Sequence, residues 1–310
     1  MSLPESQLDP DAAALVSQMA GLGTLRDRGV DGAREYLEGV ADRLPPPPAV
    51  REVTDHTIDS TGGRFALRVY RPSAKADLPA VVYLHGGGWV IGSLATSDPF
   101  CRRLATAAGC VVASVDYRLA PEHPFPAAVH DADAALAWTF DHAPSLGIDP
   151  SRVTIVGDSA GGNLAAVAVR RARDARSALP ARQVLAYPVI DSRLDRSSYA
   201  RHGESWPLTT VDMAWFWDLY QPDPAARDHP DTSPIHGNLA GLPPATIIVA
   251  GCDPLRDEGV AYADRLESSG VPVGLHIYPG QIHGFATMDP SVMPRSAEVL
   301  ALLGAVIQSP

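Results

Sequence analysis

From about residue 50 onward, short apolar runs alternate with longer amphipathic stretches. Residues 80–84, 110–115, 153–156, 184–187, 246–250 and 273–278 are almost uniformly apolar and too short for helices, so they read as strands. Two further strands, 51–58 and 65–70, flank a turn at 59–63. Residues 98–108, 127–143, 159–175, 255–268 and 291–307 have helical spacing of their apolar positions and lie between or after these strands. Strands that are apolar on both faces need cover on both faces. The prediction is therefore an α/β fold with a mostly parallel eight-stranded sheet and helices on either side.

Two segments break the rhythm. Residues 11–43 carry Ala14, Leu15, Met19, Leu22, Val30, Ala33, Tyr36, Leu37 and Val40 among charges, which predicts two short amphipathic helices interrupted near Gly21 and Gly23. A stiff run, Pro45-Pro46-Pro47-Pro48, follows them. The boundary falls there, with an N-terminal helical piece over 1–47 and a core over 48–310. The second break, at about 190–241, holds polar loops, Trp206, Trp215, Trp217 and one helix over 210–220. It is expected to be an insertion that joins the N-terminal helices over the mouth of the sheet.

Composition narrows the function classes. With 36 acidic against 25 basic residues the net charge is −11, which excludes a broad nucleic-acid surface. No apolar run approaches the roughly 20 residues of a membrane span. The first residues have neither a basic nor an apolar region, so no signal peptide is expected. Cys101, Cys110 and Cys252 lack the number and spacing of a disulfide framework or a zinc site, and the cytoplasm is the expected compartment. The 29 prolines, counted beside 26 glycines, stand mostly at joints between elements, as rigid connections would place them.

The candidate chemistry sits directly after strands. Gly157-Asp158-Ser159-Ala160-Gly161-Gly162 follows the strand 153–156 and opens a helix, which is the context of the G-x-S-x-G nucleophile elbow. A bland reading, a glycine-rich turn with a capping serine, competes with it. His85-Gly86-Gly87-Gly88-Trp89 after the strand 80–84 weighs against that reading, because a glycine run there exposes backbone N–H groups to an oxyanion. Gly86 and Gly87 are the expected donors, with Ala160 as the third, and His85 is expected to tie the loop down. A phosphate loop would need Gly-Lys-Ser/Thr, which is absent.

A serine nucleophile needs a base and an orienting acid. The chain order Ser, acid, His selects Asp253, just beyond the strand 246–250, and His283, beyond the last strand. Asp257 and Glu258 are rivals for the acid, but as charges in a helix first turn they are already accounted for. The other nine histidines fall in strands, loops and helix starts that give them no such role.

Taken together, His85-Gly-Gly-Gly88, Gly157-Asp-Ser-Ala-Gly-Gly162, Asp253-Pro-Leu-Arg-Asp-Glu258 and His283-Gly-Phe285 resemble the bacterial hormone-sensitive-lipase-like carboxylesterases. Asp116-Tyr-Arg-Leu-Ala-Pro-Glu-His-Pro-Phe-Pro126 and Ser233-Pro234 add to the resemblance. It implies an α/β-hydrolase fold with a helical cap, and a serine carboxylesterase acting on short- to medium-chain esters without metal or cofactor. Ser159 would be the nucleophile, His283 the base and Asp253 its partner. It further implies an Arg118–Glu122 buttress beside the site, Asp158 in the floor of a subsite or capping the helix, and a homodimer through the last strand. Trp89, Trp206, Trp215, Phe216 and Trp217 are candidates to line an apolar pocket, or else to pack the cap itself. A ligand receptor on the same scaffold and an amidase or deacetylase are the alternatives, and the presence of His283 speaks against the receptor.

Overall fold

The computed structural model describes residues 7–204 and 207–309. Eight strands form one sheet: β1 (Glu52–Ser60), β2 (Gly63–Arg71), β3 (Leu78–Leu84), β4 (Val111–Asp116), β5 (Ile148–Asp158), β6 (Arg182–Ala186), β7 (Ala245–Cys252) and β8 (Val273–Ile282). Their order is β1-β2-β4-β3-β5-β6-β7-β8. Strand β2 runs antiparallel to both β1 and β4, and every other pairing is parallel. The helices are α1 (Pro10–Met19), α2 (Leu25–Ala41), α3 (Leu94–Ala108), α4 (Ala127–Asp141), α5 (Ala143–Leu146), α6 (Ala160–Asp174), α7 (Ser197–His202), α8 (Thr210–Tyr220), α9 (Arg256–Ser268) and α10 (Arg295–Gln308).

Alternation along the strands sends neighbouring side chains to two separate cores. Val82, Ile155, Leu185 and Ile247 join one core with residues of α4, α6 and α9. Val81, Val156, Val184 and Ile248 join the other, with residues of α3 and α10. Leu84 pairs with Val115 and with Gly157, and Gly157 in turn with Leu185, so the carboxyl ends of the central strands lie level. The loops after β3, β5, β7 and β8 therefore gather along one edge, where parallel sheets hold their ligands.

The N-terminal helices lie over that edge. Thr24 caps α2 through a reciprocal box with Asp27, and Gly29, at φ 67°, kinks it. The Arg26 N–H donates to Asp212 Oδ1 at 3.0 Å, which joins α2 to α8 of the insertion. Helix α1 is tied to β8 by the Asp9 N–H on Gly280 O at 2.9 Å.

One expected pair is rewired. Arg118 does not meet Glu122. Its guanidinium forks onto the fully buried Asp131 of α4, with Nη2 to Oδ1 at 2.7 Å and Nε to Oδ2 at 2.9 Å. Glu122 instead accepts two bonds from Arg34 of α2, each at 2.8 Å. Arg118 lies on the β4 side of the 116–126 connection, within reach of α4, whereas Glu122 faces outward to the N-terminal helix.

Candidate active site

Ser159 sits between the end of β5 and the start of α6 with φ 54° and ψ −119°, a conformation rare for a residue with a Cβ. Tight packing holds it there. The Ser159 N–H donates to Ala186 O at 2.9 Å, and its carbonyl accepts from Val189 at 3.1 Å. Gly161 is needed because any Cβ would strike the carbonyls of Leu84 and His85. Asn163 then locks α6 in place, its Nδ2 donating to Val189 O and Thr232 O at 3.0 and 2.7 Å.

The three residues expected to form a relay meet. Ser159 Oγ lies 3.0 Å from His283 Nε2, and His283 Nδ1 lies 2.8 Å from Asp253 Oδ2. Asp253 is fully buried, and its second oxygen accepts the Leu255 N–H at 2.8 Å, so only Oδ2 faces the ring. Tyr187 backs the imidazole with ring centroids 4.7 Å apart. The rivals point elsewhere. Asp257 receives the Ser198 N–H at 2.9 Å, while Glu258 is buried under the N–H groups of Ile190 and Asp191 at 3.0 and 2.8 Å.

The glycine run differs from expectation by one residue. The Gly86 N–H donates to Asp158 Oδ1 at 3.0 Å, so it is already engaged. Among the described residues neither the Gly87 nor the Gly88 N–H has an acceptor, and both residues line the same cavity as Ser159 and His283. The direction of each N–H is set by the carbonyl of its own planar trans peptide, which points the opposite way. Gly86 O is held by His85 Nδ1 at 2.7 Å, which turns out the Gly87 N–H. Gly87 O is held by the N–H groups of Val90 and Ile91 at 3.0 and 2.9 Å, which turns out the Gly88 N–H. Since a carbonyl can only accept, His85 Nδ1 carries the proton, and burial holds its imidazole below the usual range and so neutral. Stacking on Tyr117, whose hydroxyl donates to His85 O at 2.8 Å, completes the anchor. The expected pair of glycine N–H groups, Gly86 and Gly87, is therefore divided: that of Gly86 is taken up by Asp158, while those of Gly87 and Gly88 have no acceptor among the described residues.

Asp158 is not a helix cap, since α6 has no side-chain cap bond. It is a buried bracket that also accepts the Tyr83 hydroxyl at 2.7 Å, and burial raises its pKa from the usual carboxylate value. It does reach the cavity wall.

Trp89 and Trp215 do not reach it. Trp89 is fully buried, stacked on Tyr220 at 4.2 Å and tilted against Trp217 at 4.8 Å. Trp215 is half-buried on the outer side of α8, packed against Phe216. Trp206 lies outside the described residues. The cavity, about 270 Å³, is walled by Leu25, Leu37 and Val40 of α2, by Met213 and Phe216 of α8, and by Phe100. Sequence reasoning found Phe216 but no wall residue of α2, whose apolar stripe reads equally well as packing.

Residues 81–287 match the family described as alpha/beta hydrolase fold. The chain belongs to that family. Among similar proteins is the carboxylesterase NlhH of Mycobacterium tuberculosis, 40% identical over 94% of this chain and 92% of its own length. An ethyl acetate hydrolase of Pseudomonas putida is also 40% identical, over 90% of this chain and 89% of that one. Among solved structures, the hyperthermophilic esterase of Pyrobaculum calidifontis superposes with a TM-score of 0.93 at 42% identity, covering 97% of this hydrolase and 98% of that chain. The likeness to hormone-sensitive-lipase-like carboxylesterases drawn from the motifs holds for this α/β-hydrolase. No helix among its described residues is long and apolar enough to cross a membrane.

Proposed function

We propose that this hydrolase, a carboxylic ester hydrolase like its relatives, works through Ser159, His283 and Asp253. The observation that carries the reading is the unbroken relay from Ser159 Oγ through His283 to Asp253 Oδ2, at 3.0 and 2.8 Å, opening on the same cavity as the turned-out glycine N–H groups. His283 Nε2 takes the serine proton as Oγ attacks the ester carbonyl carbon. Asp253 holds Nδ1–H and stabilises the imidazolium that forms. The carbonyl oxygen gains negative charge and settles against the N–H groups of Gly87, Gly88 and Ala160, the last at the positive end of α6. His283 then passes the proton to the departing alkoxide, leaving an acyl-serine. Water, deprotonated by His283 in its turn, attacks the acyl carbon, the bond from that carbon to Ser159 Oγ breaks to release the acid, and His283 returns the proton to Oγ.

The cavity supports a substrate class. A volume of about 270 Å³ holds on the order of nine water-sized groups, and its walls are chiefly apolar, which suits short- to medium-chain acyl groups. Ser159→Ala tests the whole reading. Turnover of p-nitrophenyl acetate should fall by about 10⁴-fold or more with the fold intact by circular dichroism, and unchanged turnover would remove Ser159 as nucleophile. A panel of matched esters and amides checks the bond type.

Compartment and assembly complete the reading. The fully buried Cys101 and Cys110 and the half-buried Cys252 form no disulfide, which suits the cytoplasm. Strand β8 ends the sheet with one neighbour, β7, leaving an edge on which a second copy could add. Light scattering on eluting protein would give twice the monomer mass for a homodimer.

A further inference from the structure

We propose that Arg34, on the N-terminal helix α2, is a positioning residue for the oxyanion hole. The inference rests on the reading of the site given above. Arg34 donates through Nε to Val90 O at 2.9 Å, through Nη2 to Ala120 O at 3.1 Å, and through both terminal nitrogens to Glu122 at 2.8 Å. Val90 is the residue whose own N–H holds the Gly87 carbonyl at 3.0 Å. Ala120 is bonded to the same turn, its N–H donating to Trp89 O at 2.9 Å. One guanidinium therefore ties together the two loop segments that fix the peptide between Gly87 and Gly88. No shorter side chain could span both carbonyls, and the planar fork sets their separation.

The turn needs such a tie. Trp89 lies within it at φ 61°, a strained position for a bulky residue that persists only where its surroundings over-determine it. Packing of its ring against Tyr220 and Trp217 supplies one restraint, and Arg34 supplies the other from outside the sheet. Helix α2 is fastened at two points, Arg26 N–H on Asp212 and Arg34 on the turn, with the Gly29 kink between them. The same helix contributes Leu25, Leu37, Val40 and Ala41 to the cavity wall. Seating of α2 thus closes the acyl pocket and sets the oxyanion donors in one movement, so an enzyme with its N-terminal helix lifted has an intact relay and a slack oxyanion hole.

Steady-state kinetics on p-nitrophenyl acetate and p-nitrophenyl hexanoate test this with Arg34→Met, Arg34→Lys and a Ser159→Ala control. A slack oxyanion hole harms every substrate alike, because all share one carbonyl oxygen. Arg34→Met should lower kcat by about tenfold or more on both esters by the same factor, with KM within about threefold of wild type and an unchanged pH profile. Arg34→Lys should recover part of the loss by keeping a donor on Val90 O. A kcat equal to wild type on both esters overturns the proposal. So does a loss confined to the hexanoate, which would make Arg34 a support of the acyl wall alone. If Arg34→Met fails to fold, Arg34→Lys carries the test, an equal several-fold drop in kcat on both esters being the expected result and wild-type kcat the contrary one. Retained turnover in Ser159→Ala would instead strike down the nucleophile assignment, an outcome independent of Arg34.

Discussion

Asp158 holds the Gly86 N–H at 3.0 Å, so the carboxylate beside Ser159 engages the glycine nearest the strand and leaves the next two, on the cavity wall, without an acceptor among the described residues. Because the Tyr83 hydroxyl donates to the same Oδ1, the bracket needs an acceptor oxygen rather than a charge. Asp158→Asn keeps that oxygen and should leave kcat within about threefold of wild type. Asp158→Leu strands two buried donors, each costing about 1–3 kcal/mol, and releases the loop. Its kcat should fall by about 10–100-fold, with lower thermal stability. Wild-type kcat in Asp158→Leu would show that the glycine run holds its shape unaided.

The glycines of the oxyanion turn differ in what a methyl group would strike. A Cβ on Gly88 runs into the Phe216 ring, whereas one on Gly87 runs into the carbonyl of Ile91. A ring can be removed and a backbone cannot. Gly88→Ala should therefore lower kcat sharply, and Phe216→Ala in the same chain should restore part of it. The restoration stays incomplete because φ 59° at Gly88 remains costly for alanine. Gly87→Ala should gain nothing from Phe216→Ala. Full kinetics on the four variants with one short ester decide the matter, and equal rescue at both positions would contradict the packing.

Arg118 and Glu122 lead to opposite expectations about stability. Asp131 is fully buried beneath the Arg118 fork, so Asp131→Ala should cost about 3–5 kcal/mol in urea unfolding by leaving a cation without its partner. Glu122 is half exposed in its pair with Arg34, so Glu122→Gln should change stability by less than about 1 kcal/mol. A loss in Glu122→Gln as large as that in Asp131→Ala would mean that the N-terminal helix folds as one unit with the core.

The relay was legible because the chain places Ser159, Asp253 and His283 each just past an apolar strand, and a parallel sheet brings those ends to one edge. What the pattern could not carry was orientation. Nothing in His85-Gly-Gly-Gly88 says which carbonyl the imidazole takes, and that choice decides which N–H groups turn outward. Trp89 and Trp215 looked like pocket residues because aromatic content is visible in sequence, while the face each ring occupies is set by α8 packing. Arg34 went unnoticed for the reverse reason. An arginine in a charged amphipathic helix reads as a solvated face, and only the fold brings it to Val90 O.

Glu258 should make this protein less stable as pH rises across neutrality. Burial raises its pKa to about 8 despite the N–H groups of Ile190 and Asp191 and the Tyr199 hydroxyl at 3.0 Å, all of which favour the ionised form. Nearby Asp191 adds to the rise and is itself held ionised by Arg193 and Arg196, at 2.7 and 2.8 Å. In the unfolded chain a glutamate releases its proton near the ordinary value of about 4.3. Between that value and about 8 the folded protein binds more protons than the unfolded one, so stability is complete at the acid end and declines as pH rises, by up to about 1.4 kcal/mol per pH unit. Glu258→Gln copies the protonated form, with its oxygen placed for the two backbone donors, and removes the proton difference. Urea unfolding at pH 5.5 and 7.5 should show the variant gaining about 2–3 kcal/mol on wild type between the two conditions. Parallel losses in both proteins would mean that Glu258 is already ionised in the fold, its two backbone bonds outweighing burial.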